Sequence, residues 1–540
     1  MVNETRRYHA GVEGMNNSPI PEVLGSPDAV DEWTSDKIEI AKSNFINIDS
    51  YNKFIDPSRI FLVGRIGSGK TTILNKFKHS IESGENHDYS STIIIDSRDY
   101  IAQLGIAIRT QRNEDLLFSE IEYIARSEWE KMLNIVAMKE LYDHFAASDP
   151  SDFIKIRHFL EEQGILMHNR SVVETLKLII ENLKSIDSTI VQGVSCTISS
   201  INQSLMPDYT SALDEFYRNL NRYGKLLILV DSIEKYEFND PIVLAILNAL
   251  VNLCLEYNRN NKLVTIKMAA PSELIPKLAS INSEKISNKI VYIRWSQNDL
   301  KTFIAVRIYK YVNGIPSTKF VDREEAVRFF DEYYEESCKT RCDFMFKTFP
   351  YCMAYTQKEP RQILSIFNAW LFYEKTRRNE NRMDLVNKAI TYDELSRIKG
   401  ALSIYSSIHP KMFEMFQRTF GNRKYCFSEE EFDEWLSTCT GIRGNVDAYD
   451  LKRYFISSGL VGTMVEMHNI EKGNPELKNN RDVRIKEVIF EYQYKEQLFF
   501  NNQTRFCLHP MVFSALNIEV DIDTFVYPKP FELENEFIPW

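Results

Sequence analysis

From about residue 60 the apolar and polar positions alternate between strand and helix periods. Ile60–Val63 is a short apolar run ended by glycine, which marks a buried strand. Thr71–Ile81 carries Ile73, Leu74, Phe77 and Ile81 at helical spacing, and Ser91–Ile95 is rich in β-branched residues and reads as a second strand. Residues 116–147 form a long helical stretch, with apolar positions at Leu117, Ile121, Ile124, Trp129 and Met132. Segments Phe153–Gln163, Val172–Leu183 and Thr210–Leu220 keep helical periodicity and predict a helical insertion at 148–222. Strand patterns return at Lys225–Val230, Leu263–Met268 and Lys289–Ile293, with helix patterns at Pro241–Tyr257 and Glu273–Leu278 between them. Strands alternating with helices predict a parallel sheet covered by helices on both faces, an α/β fold.

The flanks read differently. Residues 1–50 are polar and turn-rich, an irregular lead-in that becomes helical near Trp33–Asn47. The core is expected over 51–310 and a helical region over 311–400. Over 401–518, helix patterns at Pro410–Phe420, Ser428–Thr438 and Asp447–Ser458 precede strand candidates at Glu487–Tyr494 and Thr504–Leu508. Three helices followed by a hairpin resemble a winged helix. Residues 519–540 alternate acids with aromatics, and Pro528, Pro530 and Pro539 favour an extended path over a continuous helix. That path is expected to pack on its own domain, or to serve as a recognition segment for another subunit.

Composition narrows the class. The chain of 540 residues is 44% hydrophobic, enough for several cores, which excludes global disorder. The longest unbroken apolar run, Ile242–Leu247, is far short of a membrane span, and the N-terminus lacks a signal-peptide core, so a cytoplasmic protein with no membrane partner is expected. The net charge of −11 does not favour broad nucleic-acid wrapping. Residues 401–520 hold 14 Lys and Arg against 16 Asp and Glu, so that module is expected to contact protein rather than DNA. The eight cysteines are scattered. Cys338, Cys342 and Cys352 fit one face of a helix and are expected as buried thiols rather than zinc ligands.

The sharpest chemistry lies at Gly64-Arg65-Ile66-Gly67-Ser68-Gly69-Lys70-Thr71, which matches the Walker A pattern G-x-x-x-x-G-K-[ST] and is followed by Thr72. Its glycines let successive backbone N–H groups turn around phosphate oxygens. Lys70 is placed to bridge the β- and γ-phosphates, the Thr71 hydroxyl to ligate Mg²⁺, and the following helix aims its positive end at the anion. A strand before the loop and a helix after it are the context the motif demands. The second half of the site is expected at Lys225–Val230 with Asp231, an apolar run ending in an acid that can hold Mg²⁺. Glu234, three residues on, is the candidate that polarises the attacking water, against a bland reading as a solvated carboxylate.

These residues resemble AAA+-related P-loop ATPases of the STAND and KAP type, in which a small residue follows the Mg²⁺ aspartate and a second acid comes two positions later, as in Asp231-Ser232-Ile233-Glu234. Leu263–Met268 with the following Ala-Ala-Pro-Ser-Glu-Leu resembles their sensor-1 strand, and Tyr292–Leu300 with Arg307 resembles their last core strand and next helix. Glu359-Pro360-Arg361 resembles the lid motif, which implies that Arg361 approaches the nucleotide. Two departures stand out: the sensor-1 strand ends in Ala269 and Ala270, and the arginine-finger position has only Lys285, Lys289 and Arg294 as candidates. The C-terminal stretch, including Leu508–Leu516, is similar to ATPases of this kind that end in a winged-helix-like module.

The resemblance implies ATP and Mg²⁺ as ligands, Lys70, Glu234 and Arg361 as catalytic residues, and a signal-transducing switch of the sort often found in host–phage conflict. ATP or ADP, a homo-oligomer and an effector protein are the implied partners. A DNA-associated loader or motor, and a nucleotide-gated scaffold with little turnover, are the competing readings.

Overall fold

The computed structural model describes residues 5–7, 20–26, 29–34, 36–110, 117–166, 208–231, 240–275, 277–278, 286–334, 337–339, 345–406, 408–442, 444, 446–470, 483–493, 498, 504–521 and 524–528. The chain divides into two compact units. One comprises residues 49–64 and 70–293, and the other 1–48, 65–69 and 294–540.

The first unit is built on a five-stranded parallel sheet. Its spatial order is Ser91–Asp96, Leu226–Asp231, Val264–Ala270, Phe61–Val63, Ile290–Tyr292, and every pairing is parallel. Parallel pairing requires crossovers, and the chain supplies them as helices. Among these are Lys70–Glu82, between Phe61–Val63 and Ser91–Asp96 in the chain, and Pro241–Asn260, between Leu226–Asp231 and Val264–Ala270. All six residues of Leu226–Asp231 are buried, as expected of a strand covered on both faces. The helix Lys70–Glu82 buries Ile73, Leu74, Phe77 and Ile81, the four apolar positions whose spacing predicted it. Phe118–Phe145 packs Trp129 into the core, where the indole N–H donates to the carbonyl of Ile246 at 3.1 Å.

Pro241–Asn260 is long and apolar enough to cross a membrane by length and composition, a feature the count of unbroken apolar residues did not register. It is a core helix: Asp240 caps it by accepting from the Ile242 N–H at 2.9 Å, Pro241 opens it, and eleven of its residues are buried. Arg98–Thr110 is a helix that the sequence reading did not mark. The helical insertion is described at Ile154–Glu162 and Tyr209–Tyr223, and the expected helix Val172–Leu183 lies outside the described residues.

In the second unit, Gln297–Val312 starts at a capping box in which the Asp299 N–H donates to the Ser296 hydroxyl oxygen at 3.0 Å. Helices Arg323–Tyr333, Thr348–Ala354, Pro360–Thr376, Arg382–Tyr392 and Glu394–Ser406 follow. The expectation of helix throughout 311–400 fails where Ser337–Lys339 and Met345–Lys347 pair as antiparallel strands. Cys338 therefore lies on a strand rather than on the helical face expected for it, while Cys352 is buried in Thr348–Ala354 and Cys342 is outside the described residues.

Three helices, Met412–Phe420, Glu429–Ser437 and Ala448–Ser457, pack on a five-stranded sheet ordered Thr524–Pro528, Val483–Ile489, Val461–Ile470, Arg505–Leu508, Cys426–Ser428. Phe416, Phe420, Phe427, Phe432, Trp435, Phe455 and Phe506 form its aromatic core. Ser428 and Glu431 form a second capping box. The first fifty residues are less irregular than expected. Thr5–Arg7 is a strand paired with Glu519–Asp521, Ile38–Asn44 is a helix within the expected span Trp33–Asn47, and a further helix, Ala29–Glu32, precedes it. Within the tail Glu519–Asp521 and Thr524–Pro528 are strands, with Phe525 and Tyr527 buried, while Phe531, Phe537 and Trp540 are outside the described residues.

Candidate functional site

The loop Gly64–Thr71 leaves strand Phe61–Val63 and enters helix Lys70–Glu82. Gly67 and Gly69 have φ of +89° and +95°, a region that L side chains rarely adopt. These two glycines are what lets the loop curl. In the sheet unit the loop is pinned where it starts, since the Gly64 N–H donates to the Ala270 carbonyl at 3.2 Å.

Lys70 is buried, and its ammonium donates to the Gly64 carbonyl at 3.0 Å. The Thr71 hydroxyl donates to Asp231 Oδ2 at 2.8 Å. Two residues chosen from sequence as Mg²⁺ ligands are thereby brought together from positions 160 apart in the chain. Asp231 is itself buried at the end of its strand, and its carbonyl accepts from the Ser97 hydroxyl at 2.8 Å and the Ser97 N–H at 3.2 Å. In sheet register Asp96 stands beside Asp231, and Arg98 pairs with the Asp96 carboxylate, which holds the guanidinium above its ordinary pKa. A hydroxyl and a carboxylate 2.8 Å apart are hard oxygen donors, the set that suits Mg²⁺ with its remaining positions filled by water. Glu234 lies outside the described residues, as do Ser232 and Ile233. Thr72 is half-buried on the first turn of the helix.

Loop residues 65–69 belong to the other unit and have partners there. The Trp295 indole N–H donates to the Ser68 carbonyl at 2.8 Å. Arg65 donates to the carbonyl of Ser457 at 2.9 Å and to that of Ser458 at 2.7 Å. Ile66 is half-buried. A Cβ added to Gly67 would stand 2.9 Å from Glu359 Oε2 and 3.6 Å from the Arg361 Cβ. The start of helix Pro360–Thr376 therefore lies against the loop through Glu359 and the Cβ of Arg361, whose side chain is exposed. Sequence reasoning named Arg361 but passed over Glu359, Trp295 and the partners of Arg65. Their signal was available only in part: Glu359 precedes the Pro-Arg pair that was quoted.

The remaining candidates separate. Arg307 is buried, stacks over Phe303 at 3.8 Å and pairs with Glu32 at 3.4 Å, and burial lowers its pKa; it is a packing residue of its own unit. Lys289 and Arg294 are half-buried and Lys285 is outside the described residues. Val264–Ala270, likened to a sensor-1 strand, lies between the strand that feeds the loop and the strand that ends in Asp231. Lys267 within it is wholly buried, donates to the carbonyls of Phe54 and Asp56 at 2.5 and 2.7 Å, and is pushed down to about 7 by burial. His509 is also fully buried, beside Tyr492 at 3.2 Å, and burial pushes it down to about 3.

No family model matches this chain, and no curated protein matches it. Among solved structures it is similar to a Walker-type ATPase of Pyrococcus abyssi, with 11% identity over 92% of this chain and 100% of that one and a TM-score of 0.38. It is also similar to the ORC2 protein of Aeropyrum pernix in ADPNP–ADP complexes, with 10% identity, 82% and 90% coverage and a TM-score of 0.29. A third similar structure is Cdc6p of Pyrobaculum aerophilum, with 10% identity, 93% and 95% coverage and a TM-score of 0.26.

Proposed function

We propose that this chain is a Mg²⁺-dependent ATPase of the P-loop class that works as a molecular switch. The observation that carries the reading is the 2.8 Å hydrogen bond from Thr71 to Asp231, which joins a Walker A hydroxyl to the acid that ends a buried strand. In this reading the backbone of Gly64–Thr72 cradles the phosphates. Lys70 leaves the Gly64 carbonyl to neutralise the β- and γ-oxygens. Thr71 and Asp231 hold Mg²⁺, which when bound screens the charge that develops on the phosphoryl oxygens. Glu234 polarises the attacking water, and Arg361 approaches the γ-phosphate from the start of its helix.

The C-terminal helices and sheet serve as a winged-helix-like module that contacts protein. Their charge balance, near neutral and slightly acidic, supports protein contact over DNA. A switch of STAND or AAA+ type that assembles with itself or an effector, in anti-phage defence, is the biological role we infer.

The test is nucleotide binding and turnover by the full chain, its Lys70→Ala variant and its Asp231→Ala variant. Lys70→Ala is expected to lower hydrolysis at least 100-fold, by analogy with removal of a single preorganised donor elsewhere. Asp231→Ala is expected to abolish the Mg²⁺ dependence of binding. Turnover at the wild-type rate in a folded Lys70→Ala protein would refute the assignment.

A further inference from the structure

The phosphate loop keeps unexpected company. Glu359 is buried, 7% exposed, and its carboxylate lies against Gly67, near enough that even a methyl group on that glycine would collide with it. The carboxylate is held in place. The Gln362 amide donates to Glu359 Oε2 at 3.0 Å, and Gln362 Oε1 accepts from the Gln357 N–H at 2.6 Å. The Gln357 side chain in turn donates to the Ser458 carbonyl at 2.9 Å. Ser458 follows helix Ala448–Ser457, and its carbonyl also receives Arg65 of the loop. Arg65 Nε stands 3.9 Å from Glu359 Oε1, so the ring of contacts closes on itself.

Each link has a reason. A guanidinium over the last carbonyls of a helix sits at the negative end of the helix dipole. Arg65 presents two N–H groups in a fixed fork, and the two carbonyls of Ser457 and Ser458 match it. Gly459 has φ +72°, and a Cβ there would lie 2.6 Å from the Tyr492 ring and 2.9 Å from Gln357 Nε2, so the helix end is shaped to admit Gln357. The carboxylate is the odd member. A loop that binds phosphate collects N–H groups and cations, and a fixed anion at its glycine repels the ligand, the more strongly for being out of water.

We propose that Glu359 sets the nucleotide affinity of this chain by opposing phosphate at Gly67, and that Arg65 passes the resulting displacement to the end of helix Ala448–Ser457. The proposal rests on the nucleotide reading above. A phosphate group at the loop draws Arg65 and pushes the Glu359 carboxylate away. The Gln362–Gln357–Ser458 contacts loosen, and the C-terminal module is released from the loop. Glu359 and Arg65 are positioning residues in this scheme.

Isothermal titration of the full-length protein with Mg²⁺-ADP and Mg²⁺-ATP tests it. Glu359→Gln keeps the size of the side chain and an oxygen for Gln362 while removing the charge. It is expected to bind both nucleotides about tenfold more tightly, equal to about 1.4 kcal/mol, with the melting temperature of the ligand-free protein unchanged. Equal or weaker binding in a folded Glu359→Gln protein overturns the proposal and leaves the nucleotide reading standing. Absence of binding in both proteins overturns both. Amide hydrogen exchange at Phe455–Leu460 reads the second half. It is expected to rise when Mg²⁺-ADP is added to the wild type, to be raised without ligand in Arg65→Gln, and to be partly restored in Arg65→Lys. Exchange there that ignores nucleotide overturns the coupling to the helix end.

Discussion

Gly67 and Gly69 share a left-handed backbone but not an environment. A Cβ on Gly69 would meet Trp295 at an ordinary 3.8 Å, whereas on Gly67 it would meet the Glu359 carboxylate at 2.9 Å. Gly67→Ala is therefore expected to cost more than Gly69→Ala, by about 1 kcal/mol or more beyond the shared backbone strain of roughly 1–3 kcal/mol; paired denaturant titrations measure the difference. His509 offers a pH test. Its folded pKa, about 3, lies below the ordinary value of 6.5, so the folded state binds fewer protons than the unfolded one at intermediate pH. Its contribution to stability is full above pH 6.5 and is lost as pH falls toward 3, at about 1.4 kcal/mol per unit at most. Thermal melts between pH 7 and 4.5 are expected to fall less steeply in His509→Gln than in the wild type. At this scale the loop was legible because the Walker A pattern is local, with each of its residues placed by its neighbours, and Asp231 because it ends an apolar strand run. Glu359 and the carbonyls of Ser457 and Ser458 were not legible. They meet the loop across some 300 to 400 residues, and a carbonyl carries no sequence signature at all.

The parallel sheet was readable because its strands are mostly apolar and β-branched runs bounded by polar turns. In this sheet expected and observed strands differ by one or two residues at their ends, as with Lys225–Val230 against Leu226–Asp231, whereas the strand expected at Glu487–Tyr494 lies at Val483–Ile489. The strand pair Ser337–Lys339 and Met345–Lys347 was missed because the Cys338-x3-Cys342 spacing in sequence mimics a helical face. Val461–Ile470 was missed because it mixes Glu466, His468 and Asn469 into a strand of the C-terminal sheet. The strand at the end of that sheet yields a test. Thr524–Pro528 pairs in parallel with Val483–Ile489, and all five of its residues are buried. Removal of residues 522–540 strips Phe525 and Tyr527, each worth roughly 1.5–3 kcal/mol when fully buried. The truncated protein is expected to melt on the order of 10 °C lower, and calorimetry checks it. An unchanged melting temperature would mean that this strand adds nothing to the sheet it completes.

At the scale of the molecule, the two units divide the chain unequally. The sheet unit occupies one nearly continuous stretch, residues 49–293, whereas the other is assembled from 1–48, 65–69 and 294–540. The early piece supplies partners that the late piece needs. Lys310 is buried and donates to the Ser43 hydroxyl and Asn44 Oδ1, both at 2.9 Å, and burial pushes it down to about 8. Arg307 donates to the Asn44 carbonyl at 3.3 Å. Without residues 1–48 these two cations lose those partners, a loss that typically costs several kcal/mol. A fragment of residues 49–293 is therefore expected to melt cooperatively on its own. A fragment of 294–540 is expected to be poorly soluble until 1–48 is joined to it by a short linker. Circular dichroism and sedimentation of the three fragments decide the matter.

The pairing of Thr5–Arg7 with Glu519–Asp521 also has a consequence in time. Protein synthesis delivers residues in order, at about 5–20 per second. All five strands of the parallel sheet have been made once residue 293 is added, and the sheet can close while translation continues. The opening strand must then wait for residues 294–521, roughly 10–50 s of further elongation at that rate. Until then its partner does not exist, and the nascent chain carries a finished sheet and an unmatched beginning. A ribosome stalled before Glu519 would hold a protein whose first unit is folded and whose second cannot be completed.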